Sequence, residues 1–358
     1  MNEGYDLVII GAGEAGQAAA HLAAKRGARV AIVDRELFGG SCPFWACMPS
    51  KALLHAAAIH HLGSDYPWQQ ASDFRDWMIV RERPRDWPDD GGHVRDLEAS
   101  GAVVVRGEAR IDGPGRVVVR NADGERALMA KAILVSVGTN STIPDDVEGL
   151  DAIVPWTNRQ ATSTRELPRS LVVLGAGPTG VEMSQVFARY GVPTILVSPH
   201  ERINPKDHPR NSATLDAALR RDGVDIRTNT RARRVRAAAG ADGAHAVDLS
   251  DGSTVEGHEI LLAIGRSAPL AGLGLETVGV ELTDGRLRPD DRLRIAEGVY
   301  VAGDPAGPEM HTHLAVYQGE MVARIVLGDD VRPDHRAIPR ATYTDPEAAG
   351  VGLTLDEA

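Results

Sequence analysis

Two segments in which an apolar strand runs through a glycine turn into a helix predict an α/β protein with two parallel-sheet units. The first reads YDLVIIGAGEAG, from Tyr5 to Gly16, and the second SLVVLGAGPTG, from Ser170 to Gly180. Each sets a β-branched run directly before GxGxxG and a helical pattern directly after it, the order that a βαβ unit requires. The length agrees, because 358 residues exceed one ordinary core and require at least two domains.

In the first unit the strand runs from Tyr5 to Ile10. Gly11, Gly13 and Gly16 follow, then a helix to Arg26, a strand over 29–33, and Asp34. The glycines permit a tight turn and close approach of a pyrophosphate to the helix N-terminus, whose free N–H groups and dipole favour an anion. An acid about 20 positions further on, at a strand end, is suited to a ribose hydroxyl.

The second unit repeats the order with a strand over 170–174, Gly175, Gly177 and Gly180, a helix to Tyr190 and a strand over 193–197. Two such units imply two nucleotides, such as a flavin and a nicotinamide dinucleotide. The second ends VSPHER, with Ser198 where the ribose acid would stand. Without that carboxylate a 2′-phosphate is not repelled. Ser198, His200 and Arg202 are then candidates to bind one, which favours NADP over NAD.

The segment 64–92 is a helix with an irregular excursion, and Trp68, Trp77 and Trp87 are read as packing residues. Strands are expected over 103–106 and 116–120, and over 133–139 into a glycine turn. After the second unit they are expected over 225–236, 246–249, 259–266 and 298–304, the last ending in Asp304. An acid at such a strand end can reach the polar chain of a cofactor. The basic cluster 231–236 reads as a solvated strand edge.

Cys42 and Cys47, the only cysteines, lie in GGSCPFWACMPSK, from Gly39 to Lys51. On a regular helix their Cα atoms would be about 8.7 Å apart, whereas a disulfide needs about 4.4–6.8 Å. Closing the bond therefore needs a distorted turn. Pro43 suits a helix start, while Pro49 lacks the N–H that would reach the Trp45 carbonyl. A short loop of this kind suits a catalytic pair better than a structural staple. The opening MNEGYDLVII has no leader pattern, so the expected compartment is the cytoplasm, where structural disulfides are rare. A zinc site with His55, His60 or His61 has the wrong spacing, and no metal is expected.

The composition, 43% hydrophobic and 25% charged, is that of a globular protein. No apolar run is long enough to span a bilayer. A net charge of −11 argues against nucleic acid or anionic membrane as partners. Lysine occurs only at Lys25, Lys51, Lys131 and Lys206, which singles out Lys51 beside the cysteine loop.

Together the runs GAGEAG with Asp34, GGSCPFWACMPSK, ILVSVGT, LVVLGAGPTGVE, LLAIGR and VYVAGD resemble the class I pyridine nucleotide-disulfide oxidoreductases, which include dihydrolipoyl dehydrogenase, glutathione reductase and mercuric reductase. The resemblance covers nearly the whole chain. It implies two Rossmann-like domains, with an FAD domain (1–152 and 268–335) interrupted by an NAD(P) domain (153–267). Residues 336–358 look like the start of a dimerisation domain.

By the same resemblance Cys47 is the flavin-proximal thiolate and Cys42 the thiol that attacks a disulfide. Lys51 would sit near the flavin N5, paired with Glu182. The resemblance also implies cofactor contacts at Gly40, Ser41, Ala109, Gly138, Gly265, Asp304 and Ala315. A cation beside the flavin would stabilise both the reduced ring and the Cys47 thiolate, and a buried lysine needs a carboxylate partner.

Two departures stand out. Phe44 and Trp45 replace the smaller residues of lipoamide enzymes, and the His-Glu pair that the family's C-terminal domain supplies from the partner subunit has no counterpart here. His311 and His313 are read as flavin-side or packing residues. The sequence therefore predicts an FAD- and NAD(P)-dependent enzyme acting on a small-molecule or protein disulfide or dithiol, in a family that is homodimeric though most of the dimerisation domain is missing. The alternatives are a mercuric reductase, a diaphorase or quinone reductase, and a truncated flavoprotein without turnover.

Overall fold

The computed structural model describes residues 4–80, 88–240 and 243–354; Trp87 lies outside them. Two compact units divide the chain, one drawn from Met1–Phe44, Pro84–Asn140 and Ala268–Ile338, the other from Trp45–Arg83, Ser141–Ser267 and Pro339–Ala358. The expected break at 152 thus falls inside the second unit. Residues that follow the Cys42 loop, and those after Ile338, are grouped with that unit too.

The first unit is built on an eight-stranded sheet in which Val299–Val301, Gly124–Val135, Tyr5–Ile10, Val30–Asp34 and Val103–Arg106 run parallel in that spatial order. Leu7, Val8, Ile9, Ala31 and Ile32 are wholly buried. That explains why these strands read as continuous apolar runs rather than alternating ones. Helices Glu14–Lys25 and Thr312–Val326 pack together at Gly319, where a Cβ would meet the Ala15 carbonyl oxygen at 2.1 Å. The long strand Gly124–Val135 extends beyond the sheet into an antiparallel meander with Arg116–Asn121 and Glu108–Ile111. The strand expected over 133–139 stops at Val135, because Gly138 adopts φ +62°.

The second unit has a four-stranded parallel sheet, ordered Asp225–Arg227, Thr194–Val197, Leu171–Leu174, Glu259–Leu262. Its helix Pro178–Arg189 is buried along most of its length. The strand expected over 225–236 is two strands. The second, Ala232–Arg236, forms the edge of a separate three-stranded sheet, with Arg233, Arg234 and Arg236 exposed. Helices Cys47–His61 and Trp68–Ile79 pack in this unit, with Trp68 against Phe187 and Tyr190. Trp77, expected to be a packing residue, is 47% exposed and stacks on Phe74 with ring centroids 6.2 Å apart. No helix among the described residues is long and apolar enough to cross a membrane.

Candidate functional site

In the first unit the glycine turn admits no side chain at its two critical points. A Cβ on Gly11, which has φ +103°, would lie 2.4 Å from the Ser136 carbonyl oxygen, and one on Gly16 would lie 2.1 Å from that of Gly11. Gly40, at φ +70°, brings its backbone against Gly13, where a Cβ would lie 2.7 Å from the Gly13 Cα. Helix Glu14–Lys25 starts at Gly13 with no side-chain cap, so its first N–H groups are left for an anion. The Asp34 carboxylate accepts from the Ala12 N–H (2.7 Å) and the Glu36 N–H (2.8 Å). Burial pushes its pKa up, against the pull of those two donors.

Elsewhere in this unit Thr139 Oγ1 donates to Asp304 Oδ2 at 2.5 Å. Gly303 N–H donates to the buried Gln318 Oε1 (2.9 Å), so the turn carrying Asp304 is tied to the helix that carries Ala315. Ala109 sits in the strand Glu108–Ile111 with its side chain turned into the core. Ser41 is exposed at the start of the helix Ser41–Trp45.

The Cys42 side chain is half-buried and accepts a hydrogen bond from Thr312 Oγ1 at 3.3 Å. Burial pushes the Glu14 carboxyl up, opposed by the charge of His93 and by a hydrogen bond with Cys42. Neither Thr312 nor Glu14 was singled out from sequence. Glu14 sits within GAGEAG, where only the glycines carry a recognisable signal. His311 and His313 stack on each other, with centroids 5.2 Å apart.

The second unit holds Cys47, at the start of the helix Cys47–His61. This helix is separated from Ser41–Trp45 at Ala46, which has φ −126° and ψ −97°. The distortion expected from Pro49 is therefore present. The Trp45 carbonyl accepts instead from Asn158 Nδ2 (2.8 Å) and Thr162 Oγ1 (3.2 Å). The short helix Asn158–Ser163 that carries them has a capping box at Thr157 and Gln160. The buried Arg75 donates to the carbonyls of Thr162 and Thr164 at its other end. Satisfying a carbonyl that proline leaves unpaired avoids a cost of about 1–3 kcal/mol. Asn158 and Thr162 gave no sequence signal because their partner lies over a hundred residues away.

Lys51 and Glu182 meet as expected. Lys51 Nζ lies 2.9 and 3.1 Å from the two carboxylate oxygens, with Lys51 35% and Glu182 5% exposed. The Tyr343 N–H also donates to Glu182 Oε1 (2.9 Å), and the Tyr343 ring lies 4.6 Å from Lys51 Nζ.

Gly175 and Gly180 repeat the steric exclusions of the first turn, at 2.3 Å from the Ala263 oxygen and 1.9 Å from the Gly175 oxygen. Gly177 is the uncapped helix start, with Pro178 next. Gly265 takes φ +143°. The Ser198 side chain is fully buried and accepts the His200 N–H at 3.2 Å. Arg202 Nη2 donates to the Pro205 carbonyl (2.9 Å) within its own turn, while His200 is exposed.

The architecture defines an α/β protein with two dinucleotide-type glycine turns and a proline-broken helix carrying two cysteines. Sequence similarity narrows this class. The pyridine nucleotide-disulphide oxidoreductase family matches residues 5–319. Over its whole length the chain is 31% identical to a dihydrolipoyl dehydrogenase of Rhizobium etli, of which it covers 79%. Over 98% of its length it is 33% identical to a mercuric reductase of Streptomyces lividans, of which it covers 76%. Among solved structures, LpdA from Mycobacterium tuberculosis matches with a TM-score of 0.86 at 29% identity, over 98% of this chain and 78% of that one. The flavoprotein disulfide reductase RclA from Escherichia coli shares the fold, with a TM-score of 0.87 at 23% identity over 99% of this chain and 78% of that one. The chain belongs to the pyridine nucleotide-disulphide oxidoreductase family and is an FAD-dependent, NAD(P)-linked enzyme of it.

Proposed function

We propose that the enzyme moves two electrons from NAD(P)H to a Cys42–Cys47 disulfide, whose dithiol form then reduces a disulfide substrate, or runs the exchange in reverse on a dithiol of dihydrolipoyl type. The observation that carries this reading is the helix break at Ala46, with the Trp45 carbonyl taken up by Asn158 and Thr162. It frees the cysteine segment from the regular geometry that would hold the two Cα atoms too far apart for a bond.

FAD, when bound, supplies the two-electron relay between nicotinamide and dithiol. The residues that would hold it are Gly11, Gly13, Gly16, Asp34, Gly40, Ser41, Ala109, Gly138, Asp304 and Ala315. Gly175, Gly177, Gly180, Ser198 and Gly265 would hold the nicotinamide nucleotide. The side-chain-free glycine turns and uncapped helix starts fit these groups.

In the thiol exchange the Cys42 thiolate attacks one substrate sulfur. A Cys42–substrate bond forms, the substrate S–S bond breaks, and one thiol leaves after taking a proton. Cys47 then attacks the Cys42 sulfur, closing the protein disulfide and releasing the second thiol, so the substrate gains the two electrons that the pair loses. Thr312 orients the Cys42 sulfur, and Glu14, hydrogen-bonded to Cys42, is placed to take its proton. The Lys51 ammonium, fixed by Glu182, favours negative charge on Cys47 and on the reduced cofactor.

Ser198 in place of an acid favours NADPH over NADH. A second reading, mercuric ion reduction, is supported by the likeness to the Streptomyces lividans enzyme and by the suitability of two thiolates for a soft metal substrate.

The test is an anaerobic titration of the FAD-loaded protein with NADPH, then NADH. A long-wavelength thiolate-to-flavin charge-transfer band at two-electron reduction is expected, and Cys42→Ser should abolish disulfide reduction while leaving reduction of artificial electron acceptors. Bleaching without that band would overturn the dithiol relay in favour of a diaphorase.

A further inference from the structure

The Lys51–Glu182 pair has a third member, Tyr343. Tyr343 follows the strand Pro339–Thr342, and the backbone on both sides of it is pinned. Before it, the buried Thr342 Oγ1 accepts from Asn204 Nδ2 at 3.0 Å. After it, the Asp345 N–H donates to Gln185 Oε1 and its carbonyl accepts from Gln185 Nε2, both at 2.8 Å, while its carboxylate meets Arg189 at 2.9 Å. Gln185 and Arg189 lie on the same helix as Glu182.

Although the segment is held on both sides, Tyr343 is 46% exposed. Its placement is therefore not explained by core packing. What the ring does touch is the ammonium of Lys51, at 4.6 Å from its centroid, while the N–H of the same residue holds the carboxylate that Lys51 pairs with. One residue thus grips both ends of one ion pair.

We propose that Tyr343 is a positioning residue for the redox site: its N–H fixes Glu182 and its ring covers the open side of Lys51, so that the lysine is held as one cation in one place. The peptide donor satisfies a carboxylate oxygen that a lone lysine would leave partly unmet, which keeps a largely buried acid from rotating away. The ring's negative face lies against the ammonium and keeps water from its outer side. This inference rests on the reading of Lys51 as the cation of the electron-transfer site. The ring contact itself stands apart from it.

Two measurements separate those layers. In the first, the full-length protein, with and without FAD, is treated with a small amine-reactive reagent, and modification of Lys51 is followed by peptide mass spectrometry with Lys131 as internal reference. Only an amine that the reagent can reach reacts. Tyr343→Phe, which keeps the ring, should therefore match the parent protein, and Tyr343→Leu should react about three- to tenfold faster, as expected for loss of one cation–π contact. Glu182→Gln, which leaves Tyr343 in place, should also raise the rate, and it keeps the assay informative if the leucine variant does not fold. Equal rates in parent and Tyr343→Leu, at unchanged melting temperature, or no response to Glu182→Gln, would overturn the proposal.

In the second, charge-transfer absorbance of the reduced, FAD-loaded protein is followed against pH. A weaker band in Tyr343→Leu, restored in Tyr343→Phe, supports the positioning role. An unchanged profile beside faster labelling would overturn the role at the redox site and leave only a local cap on Lys51.

Discussion

The two glycine turns share a backbone and differ in the side chain that closes them. In each, the first glycine lies under a carbonyl from a neighbouring strand and the last lies under the carbonyl of the first. In each, the alanine carbonyl inside the turn accepts an N–H from the segment after the second strand, Gly39 to Ala12 (2.9 Å) and Asn204 to Ala176 (2.6 Å). In each, a residue at the end of that strand (Asp34) or directly after it (Ser198) accepts the N–H two positions on, Glu36 to Asp34 and His200 to Ser198. Only Asp34 has a second oxygen, which reaches back to the Ala12 N–H. The acid thus braces its own turn, whereas the serine side chain bonds within its loop. The comparison teaches that the glycine pattern sets the shape of the turn, and the residue after the second strand decides whether a side chain ties back to it.

The strongest way to break the comparison is to fill either cradle. Gly16→Ala and Gly180→Ala each put a Cβ about 2 Å from a fixed carbonyl oxygen, an overlap costing about 3 kcal/mol and hence about a hundredfold in binding. Gly16→Ala should purify without flavin. Gly180→Ala should keep its flavin colour and lose reduction by NAD(P)H. If both variants lost the same cofactor, the assignment of one nucleotide to each turn would fall.

A smaller effect is expected from Asp34→Asn, which keeps an acceptor for the turn but removes its charge. FAD should bind about tenfold more weakly by flavin fluorescence titration. The same carboxyl gives the first turn a pH dependence that the second lacks. Burial raises the pKa of Asp34, so on acidification the folded chain takes up this proton before an unfolded chain would. In the empty protein its stabilising contribution is therefore present below the unfolded carboxyl's pKa and is lost as pH rises through the folded value. For cofactor binding the sign reverses, since the protonated group loses its charge. FAD affinity of the parent should fall in weak acid, beginning above the range of an ordinary aspartate, while Asp34→Asn should show no such step.

The smallest change sharpens the contrast by giving the second turn the first turn's acid. Ser198→Asp can keep the bond from the His200 N–H, as Asp34 keeps that from Glu36. A carboxylate there would repel a 2′-phosphate, so the ratio of kcat/KM for NADPH over NADH should fall at least roughly fivefold, about 1 kcal/mol. An unchanged ratio would show that the strand end does not read the ribose, and selectivity would then rest on His200.

Much of this was legible in the chain. The strands Tyr5–Ile10 and Val103–Arg106 have the bounds that their apolar runs gave; in the first, Leu7 to Ile10 are buried, which leaves an unbroken pattern. The single strand expected over 225–236 is two, Asp225–Arg227 and Ala232–Arg236. Asn229, at φ +56°, breaks it there, which composition does not reveal. The proline that breaks the cysteine helix was readable, whereas the side chains that satisfy the freed carbonyl were not. Lys51 and Glu182 were paired only through a family pattern, since nothing in their spacing of 131 residues joins them.

What the sequence determined by itself is whatever depends on neighbours along the chain: two glycine turns that only glycine can make, the acid and the serine at their strand ends, and a cysteine helix that proline must interrupt. Tertiary structure alone decided which distant groups complete these features. Asn158 and Thr162 take the Trp45 carbonyl, Thr312 reaches Cys42, and Tyr343 closes on Lys51 and Glu182. The physical reason is that a backbone turn or break is set by local torsion and sterics, whereas a hydrogen bond or ring contact between remote residues exists only once the fold has fixed both partners within a few ångströms of each other.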